Sequence, residues 1–178
     1  MIFVTGSSGL VGSHLLYALA AKSEKVKALY RSRESLRTVD KLFVYYNQKN
    51  GTKRTTDSIE WVKGDILDVN VLYEATKDID IVYHCAAVVS FLKADFHTCM
   101  KVNRRGTANV VNACLGNKVG KLCYVSSTAA LGRSKGVTSE DIKWKAGPDI
   151  SGYSVSKHSA EKEVFRGAAE GLKVSIVN

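Results

Sequence analysis

The stretch VTGSSGLVGSHLL, residues 4–16, starts with two β-branched residues and then places glycine at positions 6, 9 and 12. β-Branched residues are typical of strands, whereas the apolar residues that follow recur at the spacing of a helix. One glycine is enough for the tight turn between the two elements, and a second lets the helix pack closely on a sheet. The third indicates that a ligand comes very close to the backbone.

The length and composition of the chain limit the classes of protein to which it can belong. The chain has 178 residues, of which 45% are hydrophobic, which suits one domain with its own core over residues 1–178. No apolar run reaches the roughly 18 residues that span a bilayer, and no secretion signal begins the chain. No CxxC pair occurs among the cysteines, which are Cys85, Cys99, Cys114 and Cys123. We therefore expect a cytoplasmic protein with reduced thiols, no metal site and no membrane contact.

The formal net charge of +9 raises the question of a polyanionic partner. The basic residues are scattered along the sequence and do not interleave with aromatic residues, as they do in segments that bind single-stranded nucleic acid. We therefore rank nucleic-acid binding last. A smaller anion, such as a phosphorylated cofactor, needs only a few of these residues.

Strand-like and helix-like segments alternate along the chain. The strand-like segments are 1–5, 25–30, 59–64, 79–86, 121–127 and 172–178. Helical periodicity appears, with Asp68 as one cap, in 10–22, 68–77, 94–116 and 154–170. This alternation predicts an α/β fold, a doubly wound parallel sheet in three layers (α/β/α) with right-handed crossovers. In the exceptional segment 32–58 we expect a short amphipathic helix over 39–46 and a polar, mobile loop over 47–58.

The glycine turn falls where such folds bind ligands, beyond the carboxyl end of the first strand. The N-terminus of the helix that follows offers unpaired N–H groups and a partial positive charge to an anion. Gly6 then makes the turn, Gly9 lets phosphates reach the backbone, and Gly12 lets helix and strand pack closely. The three glycines are explained by the pyrophosphate of a dinucleotide; ordinary turn chemistry is the alternative.

The spacing TGSSGLVG (5–12) resembles the extended short-chain dehydrogenase/reductase superfamily, the NAD-dependent epimerase/dehydratase family that includes dihydroflavonol reductase-like and 3β-hydroxysteroid dehydrogenase-like enzymes. Three further segments match in order: KGDILD (63–68), HCAA (84–87) and VNRRGTANVVNAC (102–114). The resemblance covers essentially the whole chain. It implies a Rossmann fold that binds NAD or NADP.

The resemblance also implies the cofactor contacts. Asp65 contacts the adenine amino group, and Ile66 lies beside the ring. The remaining contacts come from the glycine turn and from the turn after the fourth strand: Gly6, Ser8, Gly9, Leu10, Val11, Gly12, Cys85, Ala86 and Ala87. Asn103 supports a water network at the active site. Plainer alternatives are a helix-entry cap for Asp65, a core histidine for His84 and a mid-helix polar residue for Asn103.

YSVSK (153–157) matches the catalytic YxxxK pair of that family. Residues four apart lie on one face of a helix, so the Lys157 ammonium can favour the tyrosinate form of Tyr153 while it binds the cofactor ribose. Counting back from Gly132, the family glycine, selects Ser127 as the residue that hydrogen-bonds the substrate oxygen. A slip of one residue makes it Ser126 or Thr128.

The resemblance implies an oxidoreductase or epimerase that acts on a hydroxyl or carbonyl of a sugar nucleotide or another small alcohol or ketone. Tyr153 moves the proton, Ser127 polarises the oxygen, and the nicotinamide carries the hydride. Dehydratases of this branch carry TDE where this chain has STA (127–129), which argues against dehydration. A non-catalytic dinucleotide sensor or scaffold is the alternative, but it has no use for an intact Ser127, Tyr153 and Lys157.

The end of the second strand indicates which cofactor is bound. An acidic residue there favours NAD, because it binds the ribose 2′-hydroxyl and repels a 2′-phosphate. This chain has Arg31, Ser32 and Arg33 instead, and arginine binds phosphate through two hydrogen bonds. We therefore favour NADP. The alternative is NAD, with Arg31 stacked on adenine or facing solvent.

Members of this family continue beyond the sixth strand into a C-terminal substrate lobe, which is missing here. We therefore expect a truncated chain that binds a dinucleotide weakly and turns over substrate poorly. Relatives form homodimers through the helices that correspond to 94–116 and 154–170. Val110 and Val111 suit either such an interface or ordinary core packing.

Overall fold

The computed structural model describes residues 1–22, 24–132, 139, 144–145, 147 and 150–178. Six strands are present: β1 (Ile2–Thr5), β2 (Val26–Tyr30), β3 (Ile59–Lys63), β4 (Ile81–His84), β5 (Lys121–Val125) and β6 (Val174–Val177). The α-helices are α1 (Leu10–Ala20), α2 (Arg33–Asn50), α3 (Val69–Ala75), α4 (Phe96–Cys99), α5 (Thr107–Gly116) and α6 (Gly152–Ala169). All six predicted strands are confirmed, each with shorter bounds, because the residues at their ends belong to the loops.

The strands form one parallel sheet in the order β3-β2-β1-β4-β5-β6. The chain winds outward from β1 in one direction as far as β3, and then returns to the other side of β1 with β4. The order of strands therefore reverses between β1 and β4, where a crevice opens at the carboxyl edge of a doubly wound sheet. This arrangement confirms the predicted fold class.

Each face of the sheet is covered by its own hydrophobic cluster. Because side chains alternate along a strand, Ile2 and Val4 face one cluster while Phe3, between them, belongs to the other. The first cluster includes side chains of α1 and α2, and the second includes side chains of α3, α5 and α6. This is the expected three-layer arrangement. None of the helices in the described ranges combines the length and hydropathy that a bilayer span requires.

The predicted length of the helix within segment 32–58 is wrong. The helix is not confined to 39–46 but is the 18-residue α2, which ends at Gly51 in the left-handed conformation. Val39 and Phe43 supply its buried face. The short loop that follows is held against α1 and α2: Tyr17 Oη lies 2.7 Å from Thr52 Oγ1, and Arg54 Nη1 donates to the Tyr17 carbonyl at 3.0 Å. These contacts connect residues that are far apart in the sequence, so no local sequence pattern predicts them.

The predicted helix over 94–116 is confirmed as helical, but it is not uniform. A 3₁₀ turn (Lys93–Asp95) leads into α4, and a π-helical segment (Met100–Gly106) joins α4 to α5. A π segment widens the helix and shifts the side chains that follow, and such segments are frequent at functional sites. Asn103 lies in the middle of this one and is buried.

Candidate functional site

A cavity of about 550 Å³ opens at the carboxyl edge of the sheet, at the reversal of strand order. The loops that follow β1, β2, β3 and β4 form its walls. Nine of the residues expected at a cofactor site line it: Gly6, Ser8, Gly9, Arg31, Asp65, Ile66, Cys85, Ala86 and Ala87. Residues that are up to 81 positions apart in the sequence are thereby brought to one crevice. Their contacts with a cofactor remain a prediction.

The three glycines of the first turn have different surroundings. Gly6 has a φ of +65°, and a Cβ there would lie 2.5 Å from the Ala86 nitrogen. A Cβ on Gly12 would collide with the Gly6 carbonyl, so Gly12 lets the first turn of α1 pack on the loop. These two glycines are required by the fold itself.

Neither a left-handed backbone nor a collision of the kind found at Gly6 and Gly12 requires glycine at position 9, and Gly9 lines the cavity. It is the N-cap of α1 and provides no side-chain cap, so the first N–H groups of the helix have no side-chain acceptor from this residue. The nearest atom to a Cβ at Gly9 would be the Gly6 carbonyl oxygen at 3.2 Å. A bare helix N-terminus beside a cavity of this size fits the diphosphate of a dinucleotide.

Six residues of the predicted cofactor set lie outside the lining of the cavity. Leu10 and Val11, at the start of α1, are 80% and 49% exposed. Gly12 lies inside the turn, and Arg33 begins α2 as an exposed residue. Tyr153 and Lys157, expected both to bind the cofactor and to catalyse, lie on α6, which Asn103 and Ser156 connect to Val88 in the cavity wall.

The cavity lining also contains residues outside the predicted cofactor set: Leu29, Tyr30, Ser32, Ser35, Gly64, Val88 and Val102. Ser32 is the N-cap of α2, and Ser35 lies in its first turn because α2 starts six residues earlier than predicted. A prediction of the full length of α2 would have placed Ser35 in the first turn of this helix, next to Arg31. Val88 and Val102 come from a loop and a π-helical segment, for which the sequence carries no comparable signal.

Asp65 shapes the turn after β3. Its Oδ1 accepts a hydrogen bond from the Leu67 N–H at 2.9 Å while the residue lines the cavity. The role of helix cap belongs instead to Asp68, whose carboxylate accepts from the N–H groups of Asn70 and Val71, as predicted. Asp65 is therefore not the cap, and its carboxylate belongs to the wall of the cavity.

His84 is a fully buried residue of the core. Its Nδ1 lies 2.6 Å from Thr5 Oγ1 and its Nε2 lies 2.9 Å from Thr107 Oγ1. Burial, reinforced by the positive charge of Lys157, lowers the pKa of His84 to about 3. The imidazole is therefore neutral at physiological pH. This supports the core-histidine interpretation, and His84 is not itself an acid–base group for a substrate.

Tyr153 lies in the first turn of α6. The helix is capped by Ser151, whose hydroxyl accepts from the Ser154 N–H at 3.1 Å. The Tyr153 ring is 7% exposed and contacts the edge of Phe91, with ring centroids 5.5 Å apart. Phe91 is itself 69% exposed, on the loop that follows β4. Tyr153 is therefore buried, and its ring packs against the loop that follows β4.

Lys157 is almost completely buried, with 1% of its surface exposed. Its ammonium donates to Tyr124 Oη at 2.6 Å and to the Val125 carbonyl at 2.9 Å. Burial lowers the pKa of Lys157 to about 8, although the Glu161 carboxylate acts in the opposite direction. The hydrogen bond to Val125 ties α6 to the end of β5, two residues before Ser127.

The three candidates for the substrate-binding hydroxyl differ in their hydrogen bonds. Ser126 Oγ donates to the Glu161 carboxylate, so its proton is already used. Thr128 is exposed at the start of a 3₁₀ turn. Ser127 Oγ accepts from the Ala129 N–H at 3.2 Å, and an accepting hydroxyl keeps its own hydrogen for donation. These bonds favour Ser127, the residue selected by counting back from Gly132.

Asn103 connects the loop after β4 to α6. Its Oδ1 accepts from the Val88 N–H at 2.7 Å, and its Nδ2 donates to the Val88 carbonyl and to Ser156 Oγ, each at 2.9 Å. Ser156 Oγ in turn donates to the Tyr153 carbonyl at 2.7 Å. Asn103 therefore holds a wall of the cavity against the helix that carries Tyr153 and Lys157. The predicted water network around it stays a prediction.

The described residues give little support for catalysis by a nucleophilic cysteine or by a metal ion. Burial raises the pKa of the Cys85 thiol, which lines the cavity, to about 11, so it is protonated and a poor nucleophile at neutral pH. All four cysteines are free. Within the described parts of the chain, no three His, Cys, Asp or Glu side chains are grouped so as to hold a metal ion.

Comparisons with known proteins agree with this geometry. The family model described as the NAD-dependent epimerase/dehydratase family matches residues 2–178. The chain is 30% identical to sterol demethylase protein B of Methylococcus capsulatus, over 98% of its own length and 49% of that protein. It is 29% identical to the 4-hydroxy-2-methyl-3-oxo-4-farnesyl-3,4-dihydroquinoline-1-oxide ketoreductase of Stigmatella aurantiaca, over 98% of its own length and 48% of that protein. The chain therefore spans about half the length of the curated relatives it matches.

The solved structure of UDP-glucuronic acid 4-epimerase from Bacillus cereus in complex with NAD is similar as well. The two chains are 26% identical and superpose with a TM-score of 0.79, over 98% of this chain and 54% of the other. The similarity extends over all six strands described above.

Proposed function

The chain belongs to the NAD-dependent epimerase/dehydratase family, and on that premise we propose that it is part of an NAD(P)-dependent oxidoreductase or epimerase. One observation carries the proposal. The residues of the glycine turn, the segment after β3 and the turn after β4 line one open cavity, beside the helix that holds Tyr153 and Lys157.

The residues of this chain would hold a dinucleotide along the carboxyl edge of the sheet. The N–H groups at the start of α1 would bind the diphosphate, with Gly9 leaving room for it. Asp65 and Ile66 would bind the adenine, and Lys157 would donate to a ribose hydroxyl. Hydride transfer is the chemistry that a bound nicotinamide supplies.

Proton transfer would fall to the protein. The Tyr153 phenol would donate a proton to a substrate oxygen, or accept one from it, depending on the direction of the reaction. Ser127 would donate a hydrogen bond to the same oxygen, which stabilises the negative charge that develops there. The Lys157 ammonium would favour the tyrosinate form of Tyr153 through its positive charge.

The substrate proposed is a small alcohol or ketone, including a sugar nucleotide. One relative is named as a ketoreductase, and one structural neighbour is an epimerase; both names are consistent with chemistry at a hydroxyl or carbonyl carbon. Dehydration is not proposed, because Thr128 and Ala129 stand where dehydratases of this branch carry an acid and a base.

We further propose that NADP is the preferred cofactor, although the Bacillus cereus epimerase was solved with NAD. Arg31 lines the cavity at the end of β2, together with Ser32 and Ser35. A guanidinium and two hydroxyl groups suit a 2′-phosphate. Glu34, in the first turn of α2, does not belong to the lining.

The test is a fluorescence titration with NADPH and with NADH. We expect tighter binding of NADPH, and we expect Arg31→Ala to weaken it about tenfold, the effect of losing one charge-assisted hydrogen bond. The affinity for NADH should change little. Arg33→Ala is the matched control, because Arg33 is equally exposed and lies outside the cavity. Equal affinity for both cofactors, unchanged by Arg31→Ala, would rule out the preference for NADP.

A further inference from the structure

The buried ammonium of Lys157 has three hydrogens and no ability to accept a hydrogen bond. Two of the three are bound by groups of β5, Tyr124 Oη at 2.6 Å and the Val125 carbonyl oxygen at 2.9 Å. A buried cation needs such partners, because leaving it unpaired costs several kcal/mol. Among the residues that the structure describes, no acceptor is bonded to the third hydrogen, which we assign to a ligand.

The Tyr124 hydroxyl lies within the second hydrophobic cluster. Tyr124 is 1% exposed, and its Oη accepts from the Lys157 ammonium at 2.6 Å. The Tyr124 ring lies beside the His84 ring, with ring centroids 5.4 Å apart.

His84 is itself held at both ring nitrogens. Its Nε2 lies 2.9 Å from Thr107 Oγ1, and its Nδ1 lies 2.6 Å from Thr5 Oγ1. The His84 ring therefore cannot turn without breaking one of these bonds, and it limits the positions open to the Tyr124 ring. The Tyr124 hydroxyl is thereby held at the ammonium of Lys157.

We propose that Tyr124 is a positioning residue for Lys157: its hydroxyl, held in place by the packing of its ring beside His84, takes one ammonium hydrogen so that another is presented to the ribose of a bound dinucleotide. The inference rests on the proposed function, since it assigns Lys157 to a ribose. It goes beyond the YxxxK pair, because Tyr124 lies on β5, 29 residues before Tyr153.

The ionisable groups around Lys157 come from three elements. Glu161 lies one turn further along α6, Tyr153 one turn back, Cys85 and His84 at the end of β4, and Tyr124 on β5. Within the described ranges, the Tyr124 oxygen and the Val125 carbonyl are the only groups bonded directly to the ammonium. Loss of the Tyr124 hydroxyl removes an acceptor from the charged form of Lys157 and leaves the other groups in place. The variant Tyr124→Phe should therefore lower the pKa of Lys157.

The experiment is a titration of NADH binding, followed by fluorescence between pH 6 and pH 10. In the wild type, affinity should fall with a midpoint near pH 8 as Lys157 loses its charge. In Tyr124→Phe we expect that midpoint about one pH unit lower, the shift that corresponds to one hydrogen bond to a charged group. Binding at pH 8 should then be about fivefold weaker than in the wild type, whereas binding at pH 6 should change little. Tyr83→Phe is the matched control, because Tyr83 lies on the neighbouring strand and its ring packs in the first cluster, on the other face of the sheet.

Two further variants make the result unambiguous. Lys157→Met should abolish the pH dependence, which assigns it to this lysine. Tyr124→Leu, which removes the ring together with its hydroxyl, should shift the midpoint in the same direction, and it serves if Tyr124→Phe does not fold. A wild-type midpoint in the Tyr124 variant that folds would overturn the inference while leaving the proposed function intact. Absence of NADH binding in the wild type would instead contradict the proposed function.

Discussion

Lys157 shows how the fold controls one ionisable side chain. Its ammonium is buried among β4, β5 and α6, and the cost of that burial is offset by two acceptors on β5 and by the Glu161 carboxylate. The balance lowers its pKa to about 8, close to the range in which enzymes work. A lysine at the surface of the same helix would remain fully charged over that range.

The burial of Lys157 predicts a pH dependence of stability. The folded pKa of about 8 lies below the ordinary 10.5, so between these values the unfolded chain binds more protons than the folded one. Stability from this group therefore rises with pH through that window, and the penalty for burying the charge is fully present below about pH 8. The free energy of unfolding of the wild type should gain about 1 kcal/mol relative to Lys157→Met between pH 8 and pH 9.

Urea denaturation of the two proteins at several pH values measures that difference. The comparison with Lys157→Met is essential, because burial raises the pKa of Cys85 to about 11 and of Cys114 to about 12. Neutral buried thiols make the folded state less stable as pH rises past 9, which acts against the effect of Lys157. Parallel curves for wild type and Lys157→Met would show that the ammonium is not buried.

At the scale of elements, the first strand, turn and helix form a unit whose glycines serve different neighbours. Gly6 makes a left-handed turn directly beneath the Ala86 backbone, and Gly12 packs on the Gly6 carbonyl. The contact of Gly6 with Ala86 joins the turn after β1 to the loop after β4, and no local sequence pattern predicts it. The segment is therefore constrained both by its own turn and by a strand 80 residues away.

Gly6→Ala tests this double constraint, with Gly51→Ala as its matched control. Both glycines have nearly the same φ, +65° and +63°, but a Cβ on Gly51 meets nothing within 4 Å. We expect Gly51→Ala to cost about 1–2 kcal/mol for the left-handed conformation alone, and Gly6→Ala to cost about 3 kcal/mol or more because of the added collision. Urea denaturation provides both values. Equal costs would mean that the Ala86 backbone moves away freely.

The helices are the elements whose extent was hardest to predict. α2 continues through the polar run after Tyr46 because Asn47 is anchored from both sides: its Oδ1 accepts from Thr52 and from the Arg54 N–H, and its Nδ2 donates to the Arg54 carbonyl. Packing of this kind overrides the weak helix propensity of such a sequence. The π-helical segment around Asn103 has a similar origin, in contacts with Val88 and Ser156.

At the scale of the whole molecule, several of the basic residues are paired with acids: Lys27 with Glu60, Lys77 with Glu74, and both Arg104 and Arg166 with Glu163. Arg31 is the basic residue in the described lining of the cavity. The scatter of basic residues along the sequence predicts a small anion as ligand rather than a polymer.

We therefore expect no appreciable binding of an arbitrary 20-base-pair DNA duplex at physiological salt, about 0.15 M. Fluorescence anisotropy of a labelled duplex measures this directly, with NADPH binding under the same conditions as the positive control. Tight binding of the duplex, with an affinity that falls steeply as the salt concentration rises, would contradict this prediction and indicate that nucleic acid is a partner.

Homodimer formation through the helical segments 94–116 and 154–170 stays a proposal. Val110 and Val111, which suited either interpretation, are fully buried within a single chain, in the second hydrophobic cluster. The core-packing interpretation accounts for these two residues. The outward face of α6 carries Glu163 and Arg166 in ion pairs, which leaves it more polar than the buried face.

The order of strands and helices, the position of the glycine turn and the family could all be predicted from the sequence, because they depend on local periodicity and on short motifs with fixed spacing. The cap at Asp68 and the turn at Gly6 could be predicted for the same reason, since each acts on its immediate neighbours. In contrast, the extent of α2, the π-helical segment around Asn103 and the partners of Lys157 became known only from the three-dimensional structure. These features arise from contacts between residues far apart in the chain, where burial and hydrogen bonding override local preference.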